Sequence, residues 1–276
     1  DNGSVDVLCE SHGRTDSTHY TVRSMTGSTP IATTALDQDW DIFRAYTSLY
    51  NAERGAENGG IENALEDFDA DWASAGGRNL LTNGEQWNIA CYSDGIDDDS
   101  VTFLGWTTAE TNYIRVFTPA SEDEAGVSQR HSGIWDTGYR RTDQLQIRQQ
   151  YLRLDGISMR VSSGTRCLAV TELENGGDIR ISNCFLWGTS AFGGDTVDVW
   201  SNEEITVRIW NTIAIADSTD AGSEAFHFNT NLATFVVYNN TGISNGGEAF
   251  FLNEGSMYLK NNLGYSYGTG AAFSED

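Results

Sequence analysis

Asp198 and His227 are the two residues of this chain best suited to acid–base chemistry. They hold the same place in two copies of a short apolar strand pattern, 197–199 and 226–228, whose first positions are 29 residues apart. A carboxylate beside an imidazole can serve as general base and general acid in glycan cleavage. The same two groups can also form a surface ion pair that contributes little to stability. The sequence therefore offers them as candidate catalytic residues, with the ion pair as the alternative.

Three arginines, Arg153, Arg180 and Arg208, share a spacer position between apolar residues in three other segments. Because side chains alternate between the two faces of a strand, we expect all three to point outward on one face. Guanidinium groups in a row repel one another, so they require carboxylates or an anionic ligand such as an acidic polysaccharide. Both alternatives are open, and the nearby carboxylates are Asp178, Glu203 and Glu204.

Tryptophans in the same stretch give a second reason to expect glycan binding, because aromatic rings offer large, flat contact surfaces to sugars. If these rings turn inward, they belong to the core instead. The predicted glycan-binding residues are Arg153, Arg180, Arg208, Trp187, Trp200 and Trp210.

Two acidic segments, 94–100 and 217–220, contain the oxygen ligands that Ca²⁺ prefers. The first lacks the glycine and the closing glutamate of an EF-hand loop. Solvated acidic loops are the alternative, and calcium is the one cofactor that the sequence suggests. The candidate metal ligands are Asp94, Asp97, Asp99, Asp217 and Asp220.

The elements that position these residues come from a repeat in the second half of the chain. Each of five segments has apolar residues around a spacer and then a turn pair that mostly ends in asparagine. The last residues are spaced 27, 28, 29 and 22 apart, and Lys260 in the fifth segment breaks the apolar rule. Periods of about 20 to 50 residues are typical of solenoids. The segments are 152–156, 179–183, 207–211, 236–240 and 258–262.

A second apolar strand recurs in phase at 168–170, 197–199, 226–228 and 250–252, with first positions spaced 29, 29 and 24 apart. Two strand patterns that recur in phase indicate stacked β-coils, because a series of hairpins would not maintain both spacings at once. Asparagine tolerates the left-handed backbone of a sharp turn, and its amide can bond the next coil. The predicted asparagine ladder is Asn183, Asn211, Asn240 and Asn262, with Gly156 in the first coil.

The region 144–273 resembles the right-handed parallel β-helix family, the pectate-lyase-like or tail-spike-like solenoids, through these strand registers and asparagine turns. The resemblance implies three parallel sheets per coil and an internal asparagine ladder. The family includes polysaccharide lyases and hydrolases, virion spikes and fibres, and surface adhesins. Its pectate lyases use a calcium-binding carboxylate cluster on a strand face and an arginine. Outward strand positions here show no carboxylates aligned on successive coils, so the sequence leans against an enzyme.

The predicted fold is all-β: a right-handed parallel β-helix solenoid over 81–276, clearest at 144–273, with an N-terminal arm and a small helical cap in 1–80. Apolar residues at three- and four-residue intervals predict helices at 37–53 and 61–73. Such helices can cover the first coil of a solenoid. We expect the last coil to be covered by a partner, either in a homo-oligomer, most simply a trimer, or by other structural subunits.

The charge of the chain is −24, from 40 acidic and 16 basic residues, and Lys260 is its one lysine. Such acidity resembles halophilic proteins, in which salt screens the repulsion between carboxylates. It disfavours binding to nucleic acid, which requires a basic surface. No apolar run is long enough to span a membrane. The even number of cysteines permits disulfides without requiring them: Cys9, Cys91, Cys167 and Cys184.

These features together predict a structural and adhesive protein from a halophilic prokaryote or its virus. It would be a subunit of a virion or cell-surface appendage, such as a spike, a fibre or a capsid decoration, and would bind host glycans in a salty exterior. The alternative is a polysaccharide lyase or glycoside hydrolase that acts on surface polysaccharide.

Overall fold

A computed structural model describes residues 9–14, 20–24, 28–29, 44–61, 79–121, 128–162, 166–173, 176–189 and 194–276. Within these ranges the chain is almost entirely β, with two short helices, α1 (Leu49–Arg54) and α2 (Leu80–Asn83). The first strands are β1 (Cys9–Arg14), β2 (Tyr20–Ser24), β3 (Trp87–Ala90), β4 (Ile96–Asp97), β5 (Val101–Phe103), β6 (Ile114–Phe117), β7 (Arg140–Arg141), β8 (Leu145–Ile147), β9 (Leu152–Asp155) and β10 (Ser158–Val161). The later strands are β11 (Leu168–Thr171), β12 (Gly177–Ser182), β13 (Phe185–Gly188), β14 (Val197–Trp200), β15 (Ile205–Trp210), β16 (Ile213–Ala216), β17 (Phe226–Tyr238), β18 (Thr241–Ser244), β19 (Phe250–Lys260), β20 (Leu263–Ser266) and β21 (Phe273–Glu275).

From β3 onward the strands form three rows, and within each row a strand pairs in parallel with its counterpart in the next coil. The first row contains β3, β6, β9, β12, β15 and the second halves of β17 and β19. The second row contains β4, β7, β10, β13, β16, β18 and β20. The third row contains β5, β8, β11, β14, the first parts of β17 and β19, and β21.

Two long strands connect the rows. β17 and β19 each run from the third row into the first, which merges these rows into one curled, twelve-stranded sheet. The second row is a separate, flat sheet of seven strands. Parallel sheets arranged in this way are compatible with a solenoid, as the repeat predicts.

The core lies on the inner faces of the rows, because apolar residues alternate with polar ones along most strands. In β9 the inward side chains Leu152 and Leu154 are buried, and Arg153 between them is half-exposed. Aromatic rings continue the core through the later coils. The ring of Phe250 stacks on those of Phe226 and Phe273, with centroids 4.7 and 5.0 Å apart.

The third row confirms the predicted second register, since Leu168 pairs with Val197 and Val197 pairs with Phe226. In the first row, the register of the last two coils differs from the prediction by one residue. The predicted segments put Tyr238 level with the buried Ile209, but Val237 pairs with it instead. Lys260 pairs with the outward Tyr238, so it does not interrupt the inner row.

The asparagines form two adjacent rows instead of the single predicted ladder. The outer row has left-handed backbones and contains Gly156, Asn183, Asn211, Asn239 and Asn261, with φ values of 80°, 53°, 52°, 56° and 55°. In it, the amide of Asn211 donates to Oδ1 of Asn183 over 3.2 Å. Because two asparagines are adjacent at 239–240 and again at 261–262, the sequence pattern did not distinguish the turn residue from its neighbour.

The inner row contains Cys184, Thr212, Asn240 and Asn262. Oδ1 of Asn240 accepts the Thr212 N–H over 2.9 Å, and its Nδ2 donates to Oδ1 of Asn262 over 3.1 Å. Nδ2 of Asn240 also donates to the Ile209 carbonyl over 3.0 Å. Asn240 and Asn262 therefore bond beneath the turn, while Asn183 and Asn211 lie on its outside.

Helix α1 packs on the first coil with Leu49 and Ala52 buried. Ser48 caps its start by accepting the N–H of Asn51, and Gly55 ends it with a φ of 66°. The helix predicted at 37–53 is thus observed only from residue 49, and residues 37–43 lie outside the described part. The helix predicted at 61–73 lies outside it from residue 62 onward. The short α2 has no counterpart in the prediction.

Cys91, Cys167 and Cys184 are free, buried thiols. Burial raises the pKa of each to about 12, so all three are protonated at neutral pH. The side chain of Cys9 lies outside the described part. In the described ranges no helix is long and apolar enough to cross a membrane.

Candidate functional site

A groove of about 410 Å³ lies on the outer face of the third row. It brings together three of the predicted site residues, Asp198, His227 and Trp200. Asp198 on β14 pairs in register with His227 on β17, as predicted, and Trp200 follows Asp198 by two residues on the same face. The remaining lining residues are Gln146, Arg166, Thr171, Glu172 and Asn229.

His227 lies between two carboxylates at the floor of the groove. Its Nδ1 is 2.8 Å from Oδ2 of Asp195 and 3.4 Å from Oδ1 of Asp198. Nε of Arg166 is 2.5 Å from Oδ2 of Asp198, whose side chain is almost fully buried. The ring of His227 stacks on Phe251, and its buried Nε2 has no hydrogen-bond partner among the described residues. A bound water or ligand oxygen would satisfy that nitrogen.

Three carboxylates align in the turns that precede the strands of the third row, one in each of three successive coils. Asp195, Glu224 and Glu248 each precede by two residues the strand starts Val197, Phe226 and Phe250, which pair in register. The sequence-based prediction considered only outward strand positions and did not identify this row of carboxylates. The aligned carboxylates lie in the turns before the strands, so the pattern of outward strand positions does not include them.

A sequence signal for this row does exist. Residues 193–197, 222–226 and 246–250 each contain a glycine, then an acidic residue, a small residue and an apolar residue. Their spacings of 29 and 24 residues match the second strand register. Extending the strand repeat by two residues toward its N-terminal side would have found all three carboxylates.

The pKa values of these groups move in opposite directions. Burial, reinforced by Asp195 and Glu248, raises the pKa of Glu224 to about 9. Burial opposes ionisation of Asp195 as well, but hydrogen bonds with His227 and Glu224 outweigh it and lower its pKa. The pKa of His227 is raised despite burial, because Asp195 accepts its hydrogen bond and adds negative charge. Burial raises the pKa of Asp198, although Arg166 opposes the shift.

At neutral pH the site therefore combines a protonated Glu224 with an ionised Asp195 and a His227 biased toward its charged form. Carboxyl groups held in different protonation states are a common feature of acid–base catalytic sites. An internal network that neutralises its own charges produces the same pattern. The chemistry available at the groove is thus proton transfer or charged recognition of a ligand.

We predict that Glu224→Gln raises the free energy of unfolding at pH 8 and makes it less dependent on pH. The folded state binds more protons than the unfolded state between the ordinary pKa of 4.5 and the folded value of about 9. Wild-type stability should therefore fall as pH rises through this range. Urea unfolding at pH 5, 6.5 and 8 measures the slope. Glu254→Gln, a similar change at an exposed position, is the control, and an equal gain there would attribute the effect to net charge alone.

Asp195, Asp198 and His227 also form the one group, in the described part of the chain, whose ligand atoms are close enough to hold a metal ion, all within 4.8 Å of one another. However, Arg166 already supplies a positive charge to Asp198. The arrangement is balanced by its own side chains, and we assign no metal to it.

The structure places the predicted calcium ligands of the first acidic segment in ion pairs and hydrogen bonds. Asp94 pairs with Arg44 at 2.5 Å. Oδ2 of Asp97 is 2.7 Å from Arg141 and accepts the hydroxyl of Tyr139 over 2.6 Å. The carbonyl of Asp99 accepts from Arg141 as well. This segment is therefore tied to a buried arginine.

The second acidic segment is an exposed turn. Asp217 and Asp220 both face solvent, and Oδ1 of Asp220 accepts the N–H of Gly222 over 3.0 Å. Neither joins a group able to hold a metal ion among the residues that the structure describes.

The predicted arginines do form a line along the first row, and it has a fourth member. Arg115, Arg153, Arg180 and Arg208 pair in register on β6, β9, β12 and β15. Asp178 forms ion pairs with both Arg180 and Arg208, as one of the predicted alternatives requires. Glu203 and Glu204 form no ion pair with any residue described here.

The three predicted tryptophans lie on three different rows. Trp210 follows Arg208 by two residues and stacks on Tyr238, with ring centroids 5.8 Å apart and planes 5° from parallel. Trp187 is on the second row, with the guanidinium of Arg160 4.2 Å from its ring centroid. Trp200 lines the groove of the third row. We call the outward side of the first row, with its four arginines, Trp210 and Tyr238, the arginine face.

The groove and the arginine face are thus the two places where predicted functional residues meet. Neither is explained by a known relative: comparison with protein-family models, with curated proteins and with solved structures gave no match.

Proposed function

We propose that the chain is a right-handed parallel β-helix that serves as a structural and adhesive subunit of a virion or cell-surface appendage and binds glycans on its arginine face. The observation that carries this proposal is the meeting of four aligned arginines with the stacked pair Trp210 and Tyr238. Guanidinium groups donate hydrogen bonds in a fixed fork, and flat aromatic rings supply contact area. Sugars present hydroxyl or acidic groups at their edges and apolar C–H groups on their faces, so both features suit them.

The β-helix assignment is supported by the three rows of parallel strands. Each coil contributes one strand to every row, and parallel pairing between successive coils continues from β9 to β19. Elongated solenoids of this kind offer long outer faces for extended ligands. The arginine face runs along the stack of coils, so a polymer has several successive positions to contact.

The acidic composition supports a salty exterior and a halophilic prokaryote or its virus as the source. A charge of −24 on 276 residues creates strong self-repulsion. At about 1 M salt the screening length falls to about 3 Å, which removes most of that repulsion. Contacts at the arginine face involve partly buried groups and are screened less.

We also propose a homo-oligomer, with a trimer as its simplest form, or contact with other structural subunits, and the coil formed by β19, β20 and β21 supports contact with another chain. Its apolar side chains are exposed: Leu263, Tyr265, Tyr267 and Phe273 have exposed fractions of 63%, 52%, 68% and 44%. Exposed apolar side chains next to strand edges favour pairing with another chain.

A polysaccharide lyase or glycoside hydrolase is the second candidate function, and the groove is the observation that favours it. His227 contacts two carboxylates there, and the protonated Glu224 adjoins Asp195. Trp200 on the groove wall offers a surface for a sugar ring. Asp198 and His227 would be the acid–base pair.

Binding and cleavage can be separated in one experiment with neutral and acidic polysaccharides at molar salt. We expect the protein to retain at least one of these polymers in affinity electrophoresis and to leave it intact. We expect Trp210→Ala to weaken this retention about fivefold, through loss of the aromatic contact. Trp187→Ala, which removes a tryptophan from another row, should leave it unchanged.

Two results would change the proposal. New reducing ends or ultraviolet-absorbing unsaturated ends that disappear in Asp198→Asn would establish the enzyme instead. Retention of no polymer, or equal losses in both tryptophan variants, would remove the arginine face as a glycan site.

A further inference from the structure

The positive charges of the arginine face outnumber the carboxylates that pair with them. Asp178 pairs with Arg180 and Arg208, and Asp155 lies 3.5 Å from Arg115. Asp155 is closer, at 2.8 Å, to a fifth arginine outside the row, Arg130. These two carboxylates thus pair with three of the four arginines of the arginine face, and Arg153 is the member left over.

Arg153 has no carboxylate within ion-pair distance in the described part of the chain. Its guanidinium donates to the backbone carbonyl of Glu110 over 3.2 Å and lies 3.3 Å from the ring centroid of Tyr113. Arg115 and Arg180 flank it in register, one coil away on either side. Burial and these two like charges lower the pKa of Arg153, which means that an anion there would be stabilising.

The neighbouring positions show how such an anion would be held. Asp178 lies in a shallow depression of about 250 Å³ together with Arg180, Arg208, Thr206 and Glu110. Its carboxylate occupies the place between two guanidinium groups. An incoming carboxylate or sulfate would compete with Asp178 for the same donors, since arginine forks bind either group in the same way.

We propose that the ligand of the arginine face is an acidic polysaccharide, that its carboxylate or sulfate groups bind first at Arg153, and that Asp178 is a built-in competitor that limits its affinity. This inference rests on the proposed glycan-binding function and names its ligand class. The total charge of −24 argues for a polymer that also has sugar faces to stack on Tyr113, Trp210 or Tyr238, rather than for a polyphosphate bound by charge alone.

The test uses matched polymers that differ in charge but share a backbone: polygalacturonate against its methyl ester, and dextran sulfate against dextran. We expect the wild-type protein to bind at least one anionic polymer at least tenfold more tightly than its neutral form, as measured by calorimetric titration. Arg153→Gln should weaken that binding about tenfold, the loss typical of one charge-assisted contact. Arg160→Gln makes the same change on the second row and should have no effect.

The competitor role predicts a change of opposite sign. Asp178→Asn frees Arg180 and Arg208 while keeping the shape of the side chain, so binding of the anionic polymer should tighten several-fold. Thr206→Val, a change in the same depression without a change in charge, is the control. Thermal unfolding of each variant shows whether the fold is retained.

The outcomes separate this inference from the proposed function. If charged and neutral polymers bound equally well and Trp210→Ala abolished this binding, the proposal of an acidic ligand would be wrong, but the proposal of glycan binding would stand. Absence of binding to every polymer would overturn both. If Arg153→Gln and Arg160→Gln weakened anion-selective binding equally, the loss would come from the change in net charge and not from a site at Arg153. Weaker binding by Asp178→Asn would make Asp178 a supporting residue rather than a competitor.

Discussion

Replacing Asp97 with alanine should lower the free energy of unfolding by about 3–5 kcal/mol, the cost of removing one partner from a buried ion pair. The side chain of Arg141 has an exposed fraction of 0% and relies on Asp97 at 2.7 Å. The same carboxylate oxygen accepts the Tyr139 hydroxyl over 2.6 Å and the Leu49 N–H over 2.9 Å. One substitution would therefore leave a buried charge unpaired and detach the start of α1 from the first coil. Urea unfolding followed by circular dichroism measures the loss.

Asp94→Ala is the matched control for this prediction. Asp94 also pairs with an arginine, but the side chains of Arg44 and Asp94 have exposed fractions of 38% and 60%. Exposed pairs contribute about 0–1 kcal/mol, so the loss should be small. Comparable losses in the two variants would mean that Arg141 finds another partner or water. Faster proteolysis near α1 in Asp97→Ala alone would confirm the detachment.

Asn240→Ala should be the second strongly destabilising change, with a loss of about 3 kcal/mol from buried groups left without partners. The amide of Asn240 accepts from the Thr212 N–H and donates to the Ile209 carbonyl, and both groups are buried in the core. Alanine cannot satisfy either, and the site is too enclosed for bulk water to replace them. Thermal or urea unfolding gives the difference from wild type.

The adjacent Asn239 provides the control. It is exposed, and its φ of 56° suits glycine, so Asn239→Gly should change stability by less than about 1 kcal/mol. If Asn239→Gly proved the more damaging of the two, the outer row of turn asparagines would be the main support of the coils, and the inner row would be secondary.

The strand repeat was predictable from sequence because parallel coils place similar side chains at the same height. Apolar residues at 168, 197, 226 and 250 pair as expected, and so do Asp198 and His227. The predicted register is wrong by one residue from Val236 onward, because the outward positions 236 and 238 are themselves apolar. Alternation cannot identify the buried face when both faces carry apolar residues.

The rest of the candidate site depended on contacts that a repeat does not encode. Asp97 meets Arg141 across 44 residues, in two coils whose spacing is longer than that of the later ones. Nothing in the acidic segment itself distinguishes a calcium ligand from the partner of a buried arginine. Asp195, Glu224 and Glu248 were within reach of the pattern, but they lie in turns, where acidic residues are ordinarily solvated.

The three buried thiols provide the molecule with its own reporters of local opening. Cys91 follows β3 in the first coil, Cys167 precedes β11, and Cys184 lies between β12 and β13. In a stack whose coils contact only their neighbours, each height can open with its own free energy. Because a thiol this deeply buried reacts only after exposure, the rate of alkylation at each position would map local stability from coil to coil, with no engineered cysteine.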